Sequence, residues 1–311
     1  MHRYRLAVAY NGGMFHGAQV QRQKVAGKLV EAQRTIAGEI ENALGKLVGV
    51  SNVGEVYFSS RTDTGVHAVR NTCHVDIRRR PARRRRDQMT GETLAQNTER
   101  HLDLPATIPF QPAVLGRALN HFLHQQVGNR IRCMGAEAVD FDWHARFSAK
   151  RRIYQYVILH QDKPCFHLCD KVWARNFGSS LDVGEMRKAM KHLEGNHDFK
   201  MFHKSRRGDD TYSTMRTLDS ASLSEINLGG EEAMLGLASS SDHDVSQQLV
   251  LTFAARSFLH MQVRKMVGFL CDVGRRRRSA EDVLELLACN DSVQYPRVAP
   301  PHGLYLMNVE Y

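Results

Sequence analysis

What most constrains the fold of this chain is that one order of elements is written into it twice. Residues 4–10 read as a strand, and Ile36, Ile40, Leu44 and Leu47 then fall at intervals of four, four and three within 27–50, marking one face of a helix. Residues 52–58 and 71–77 read as strands, the second with Cys73, Val75 and Ile77 alternating with polar neighbours. Helical spacing resumes over 114–123 and a strand follows over 130–139. From Arg151 the pattern restarts: strand 151–159, helix 182–193 stopped by Gly195, strands 212–226 and 249–256, helix 258–273 and strand 304–311. Each half runs β-α-β-β-α-β, the split order of a ferredoxin-like unit. The expected fold is α+β, with two pseudo-symmetric ferredoxin-like (RRM-like) halves of antiparallel sheet, residues 1–146 and 147–311. An extra helix is expected from Ser279, where Asp282 completes a capping box ahead of Val283, Leu286 and Leu287.

Two stretches interrupt the repeat. Residues 78–111 open on a run of arginines (Arg78, Arg79 and Arg80, then Arg83 to Arg86) and continue without periodicity, the composition of an exposed, largely disordered insertion. Residues 227–247 are rich in Gly, Ser and acidic side chains and read as a mobile loop. The remainder, in a chain of 311 residues with 42% hydrophobic content, suffices for a core. No run approaches the roughly 20 apolar residues of a membrane span, and no signal peptide is visible. The 43 Lys and Arg against 33 Asp and Glu leave a formal charge of +10, which suits a polyanionic partner, nucleic acid first; a basic protein kept soluble by its charge is the alternative. Six scattered cysteines point to a reducing compartment. Cys165 and Cys169 flank His167 but lack a second ligand pair at zinc-finger spacing, so no metal is expected.

The loop between the strands at 52–58 and 71–77 carries Arg61 and Asp63 two positions apart, beside Gly65. Asp63 reads either as a catalytic acid held between rigid strands or as the cap of a turn. On strand 151–159, Arg152, Tyr154 and Tyr156 share one face, while Ile153, Gln155 and Val157 form the other, which is expected to pack inward. In helix 258–273 the stripe of Val263, Met266, Val267 and Leu270 contains Arg264, which must find a carboxylate or snorkel to the surface, with His260 one turn earlier. Arg275, Arg276, Arg277 and Arg278 follow that helix, where cations are favoured in any case; they and the first arginine run would grip an RNA backbone with steep salt dependence. The first run also fits a solvated tail or a nuclear-localisation patch.

Residues 61–68, Arg-Thr-Asp-Thr-Gly-Val-His-Ala, resemble the R-T-D-A-G-V-H-A signature of the TruA family of tRNA pseudouridine synthases, with Thr64 in the alanine position. Residues 141–156, the V-R-K-M-V-G core within 258–274, and the closing Gly303-Leu304-Tyr305-Leu306 match in the same order, so the resemblance spans nearly the whole chain. Ser59-Ser60, Asn71, His74 and residues 297–300 look most like the eukaryotic pseudouridine-synthase-like 1 branch. The resemblance implies a central cleft between the halves and isomerisation of uridine without cofactor or metal. It makes Asp63 the covalent nucleophile and Tyr154 the ring that stacks on the target uracil and a candidate base in the late proton transfer. Arg264 becomes the partner that keeps Asp63 ionised, and Arg61 the side chain filling the space left by the flipped base. Whether Asp63 attacks C1′, C6 or deprotonates C2′ stays open. His67 and Arg152 join Arg61 and residues 275–278 as expected RNA contacts.

The chain departs from the family at Thr64, at residues 15–19, which lack the tryptophan usual before the glutamine, and at Met201, where serine is usual. These departures bear on substrate choice more than on chemistry. Two functions compete: a tRNA pseudouridine synthase, and an RNA-binding factor assisting assembly of a ribonucleoprotein such as a mitochondrial ribosome precursor. The first is favoured because Asp63, Tyr154 and Arg264 are all present. tRNA or another structured RNA is the expected partner, ribosomal RNA or assembly proteins the alternative, a homodimer follows from the family, and no membrane is expected. Branch resemblance points to a mitochondrion, the lack of a visible presequence to the cytosol, and a nuclear site is the other option.

Overall fold

Alternation along the first strand sets the layer on which everything else packs: β1 (His2–Tyr10) buries Tyr4, Leu6, Val8 and Tyr10 on one face. This computed structural model describes residues 1–20, 22–25, 28–31, 33–79, 109–160, 170–175, 177, 180–204, 213–227, 247–289 and 294–311. After β1 come the hairpin β2 (Arg22–Val25) and β3 (Lys28–Glu31), then α1 (Ile36–Val48), the short β4 (Tyr57–Phe58) and β5 (His67–Ile77). α2 (Pro112–Val127) and β6 (Ile131–Val139) close the first half. The second contains β7 (Arg151–His160), β8 (Trp173–Arg175), α3 (Val183–Leu193), β9 (Gly195–Asp198), β10 (Met215–Asn227), β11 (Gln247–Ala255), α4 (Gln262–Gly274), α5 (Asp282–Leu287) and β12 (Leu304–Glu310).

Among the described residues, ten strands form one mixed sheet in the order β6-β1-β5-β12-β7-β11-β10-β9, with β4 beside β5 and β8 beside β7, while β2 and β3 pair apart. The runs β6-β1-β5-β4 and β12-β7-β11-β10 place corresponding strands in the same relative order. They meet where β5 and β12 pair in parallel, Tyr305 with His67 and Leu306 with Ala68. That junction sets the first residues after the 59–66 loop directly beside the closing strand. Most of the insertion expected at 78–111, nearly all of the loop at 227–247, and Cys165 and Cys169 lie outside the described residues. Among the described residues, no helix is long and apolar enough to cross a membrane.

Four local readings change. The helix expected within 27–50 begins only at Ile36, because the Thr35 side chain caps it by accepting from the Gly38 N–H at 3.2 Å; residues 28–31 are strand. The strand expected at 52–58 shrinks to two residues, since Gly54 donates its N–H to Asp76 O (2.8 Å) and Val53 makes only an isolated bridge to Ile77. The helix expected from 258 starts at Gln262, because Met261 sits in the left-handed region at φ 62°. On β7 the faces are reversed: Arg152, Tyr154 and Tyr156 are the buried side, and Ile153, Gln155 and Val157 are half-exposed. Tyr156 goes inward because its hydroxyl is satisfied there, donating to Pro300 O at 2.8 Å. The capping box at Ser279 is present: Ser279 N–H donates to Asp282 Oδ2 (3.1 Å) and Asp282 N–H to Ser279 Oγ (3.2 Å).

Buried His74 gives the fold a built-in acid sensitivity. Its Nδ1 accepts the Ala145 N–H at 3.2 Å, and burial, aided by the Arg3 guanidinium and His144, pushes its pKa down to about 4. A folded-state value below the unfolded one means that stability present above about pH 6.5 is lost as pH falls through 4, about 3 kcal/mol in all for this group and about 2 kcal/mol of it by pH 4.5. Denaturant titrations at pH 7 and 4.5 should show this loss in the wild type and a difference smaller by about that amount in His74→Gln. Equal acid sensitivity in both proteins would remove His74 as its source.

Candidate active site

The signature loop, residues 59–66, is held from beneath before it holds anything itself. Asn71 Nδ2 donates to Ser60 O (3.0 Å) and to the Tyr10 hydroxyl (3.0 Å), which in turn meets Thr62 Oγ1 at 2.8 Å. Ala18 N–H donates to Thr62 O and Gly65 N–H to Phe15 O, tying the loop to residues 15–18. Gly65 supplies the left-handed turn at φ +79°, and Gly12 lies where a Cβ would come within 1.9 Å of Val66 O. Asp63 is thereby projected from a braced loop, its side chain 22% exposed, into an open cleft of about 1270 Å³.

From the opposite wall α4 sends Arg264, 9% exposed, whose Nη1 stands 3.2 Å from Asp63 Oδ2 across 201 positions of sequence. Its Nε donates to Ala299 O at 2.8 Å, so the guanidinium is fixed on one edge and free to hold the acid with the other. His260 reaches the other carboxylate oxygen: Nε2 is 3.5 Å from Asp63 Oδ1, while Nδ1 is 3.1 Å from Lys204 O. A carbonyl only accepts, so Nδ1 carries the hydrogen and Nε2 is the nitrogen turned toward the acid. His260 is thus a direct neighbour of Asp63, placed by the left-handed Met261 rather than by a helical turn.

Tyr154 lies on the cleft wall, 9% exposed, with Phe258 edge-on at 5.3 Å. Burial raises its phenol above the ordinary tyrosine value, and the Ser60 side chain and Arg152 offset this only in part. The group that meets a substrate near neutral pH is therefore a neutral phenol, suited to stacking and to donating a hydrogen bond.

Arg61, on the same loop, is exposed and lines the cleft. Arg152 turns its guanidinium onto backbone carbonyls of the cleft wall. At 6% exposure it donates to Arg256 O, to Ser59 O at 3.0 Å and to Arg146 O at 2.8 Å, bracketing three cleft walls. His67 is 2% exposed, accepts the Gly12 N–H on Nδ1 at 3.1 Å and stacks on Tyr305 at 4.8 Å. A cation or imidazole near a site looks the same in sequence whether it faces solvent or backbone. Residues 275–278 begin 11 positions beyond Arg264, about 16 Å along the helix axis, and do not line the cleft. Arg276 pairs with Asp182 at 3.1 Å, and Arg278 donates to Gln294 O.

Sequence reading missed three further wall residues, Arg146, Arg216 and Arg256. Among the described residues, the cleft is lined by Arg61, Arg146, Arg152, Arg216, Arg256 and Arg264 and by one carboxylate, Asp63. No spacing could reveal this, since these arginines stand on separate elements. The site so defined is an arginine-walled cleft with one carboxylate among its described lining residues, a setting for a polyanionic substrate.

The family model described as tRNA pseudouridine synthase matches residues 189–311. The whole chain aligns with the tRNA pseudouridine synthase A of Roseobacter denitrificans at 33% identity, covering 96% of that protein, and with that of Methylocella silvestris at 34%, covering 99%. The protein of the same name from Leuconostoc citreum is 32% identical over 315 residues, with 98% of it covered. The chain belongs to the tRNA pseudouridine synthase A family.

Proposed function

We propose that this protein isomerises uridine to pseudouridine in tRNA, with Asp63 as the covalent nucleophile. The supporting observation is the 3.2 Å pairing of Asp63 with Arg264, two side chains 201 positions apart, in a cleft also lined by Tyr154. Isomerisation breaks the C1′–N1 bond, turns the base and forms C1′–C5. A proton leaves C5 and one arrives at N1, so nothing is gained or lost overall. Asp63 supplies the attacking oxygen, and the bond it makes to the nucleotide breaks again before product leaves, which returns the carboxylate; Arg264 keeps that oxygen charged and aimed, and the ring of Tyr154 receives the face of the turned uracil. Arg61, exposed beside the acid, occupies the space the base vacates and meets flanking phosphates.

The two ferredoxin-like halves, residues 1–146 and 147–311, each contribute one side of the reaction: the acid comes from the first, the cation and the phenol from the second. The matching relative strand orders support that division. Residues 275–278 contact RNA outside the cleft. Likeness at Ser59-Ser60, Asn71, His74 and residues 297–300 supports a place in the eukaryotic pseudouridine-synthase-like 1 branch and, with it, a mitochondrial site of action.

Incubation of the purified chain with an unmodified tRNA transcript, followed by mapping of pseudouridine, is expected to give stoichiometric conversion at defined uridines without added metal or cofactor. No conversion in any tRNA would refute the reading and leave the RNA-binding assembly role. Affinity should fall linearly with salt on logarithmic axes, and Arg256→Ala should lower the slope by about one. An unchanged slope would take Arg256 off the RNA path.

A further inference from the structure

Phe147 is the most exposed aromatic ring among the described residues, at 73%, and it lines the same cleft as Asp63 and Tyr154. A ring so open to water contributes little to the core, yet the turn that carries it is tied down on every side. His144 Nδ1 accepts the N–H groups of Arg146 (3.1 Å) and Phe147 (3.4 Å), and the His144 ring packs against Phe147 with centroids 4.5 Å apart. Ser148 N–H donates to His144 O at 2.9 Å, and Ser148 Oγ accepts the His144 N–H at 3.0 Å. Ala145 is pinned at both ends, its N–H on His74 Nδ1 and its carbonyl on the Tyr311 hydroxyl at 2.9 Å. Arg152 then fixes this turn to the catalytic loop, donating to Arg146 O and Ser59 O from one nitrogen. The exposed ring is therefore held in register with the nucleophile by backbone hydrogen bonds, and the exposed Arg146 guanidinium stands 5.8 Å from its centroid.

We propose that Phe147 and Arg146 form a second nucleotide subsite, in which an unpaired base neighbouring the target uridine stacks on the Phe147 ring while Arg146 meets its phosphate. An exposed ring beside an arginine suits a nucleotide, which offers a π-face and an anion together; it is too small an apolar surface for a protein partner. The subsite deepens the reading of the cleft as a tRNA site. It accounts for the preorganisation of the turn: a platform that holds the adjacent nucleotide fixes which uridine can enter.

The test is tRNA binding in the Asp63→Asn background, where conversion plays no part in the signal. Phe147→Ala should weaken binding about 5- to 150-fold with an unchanged salt slope, and Arg146→Ala should lower that slope by about one. Phe147→Trp should bind within a few-fold of the parent, whereas Phe147→Leu, apolar but without a π-face, should bind as poorly as Phe147→Ala. The unfolding midpoint of each variant should match the parent, since the ring is outside the core. Parent-like binding by Phe147→Ala or by Phe147→Leu would overturn the subsite. Because binding is read without turnover, a failure of the proposed isomerisation would show instead as absent product in the wild type.

Discussion

Asp63→Asn should form no measurable pseudouridine while still binding tRNA. The substitution keeps the shape of the side chain and a hydrogen-bond acceptor for Arg264, but an amide oxygen is a far weaker nucleophile than a carboxylate and carries no charge for the guanidinium to organise. Removal of a covalent nucleophile in enzymes whose residues act as a unit costs about 10⁴- to 10⁶-fold in rate, so single-turnover conversion should fall by at least about four orders of magnitude. Loss of one carboxylate from an arginine-walled cleft should leave affinity for a polyanion equal or slightly higher. Release of the C5 hydrogen from labelled uridine gives the rate, and filter binding gives the affinity. Conversion within tenfold of wild type would exclude Asp63 as the nucleophile, and lost binding would show that its role is to hold the fold.

The order of elements was legible because strands and helices leave periods in sequence, and each of the thirteen expected elements has a counterpart in the structure, three of them with shortened bounds. The Asp63 loop was legible because a motif of eight residues is compact. What escaped reading lies in relations between distant segments. The inward face of β7 could not be inferred from hydrophobicity, since Tyr154 and Tyr156 bury rings while keeping partners for their hydroxyls or access to the cleft. The contact of His260 with Asp63 depends on a single left-handed residue, Met261, for which the sequence carries no glycine as a warning. The bracket made by Arg152 gathers carbonyls from residues 59, 146 and 256, and carbonyls are invisible to any reading of side chains.

The other large effect is expected one helical turn beyond Arg264, at Gly268→Ala. In an exposed helix this change would stabilise by about 1 kcal/mol, because alanine is the better helix former. At Gly268 a Cβ would stand 1.9 Å from Arg297 O and 2.9 Å from its carbonyl carbon, both backbone atoms with no side-chain freedom to yield. Either α4 or the segment at 297–299 must move by more than an ångström, and that segment is strapped to the same helix one turn earlier: Ala299 N–H donates to Arg264 O at 3.0 Å, and Arg264 Nε donates to Ala299 O at 2.8 Å. Displacement at 268 therefore pulls the strap off Arg264 and releases the guanidinium that aims Asp63. We expect a net loss of about 3 kcal/mol or more, read as a melting point lower by roughly 5–10 °C, with turnover of the folded fraction reduced at least tenfold. Gly116→Ala in α2 is the matched control, since its Cβ would meet only Cys133 Sγ at 3.9 Å, and it should gain roughly 0.5–1 kcal/mol. If Gly268→Ala were as stable as the wild type, α4 and residues 297–299 could not be in backbone contact, and the fixed placement of Arg264 would fall with that contact.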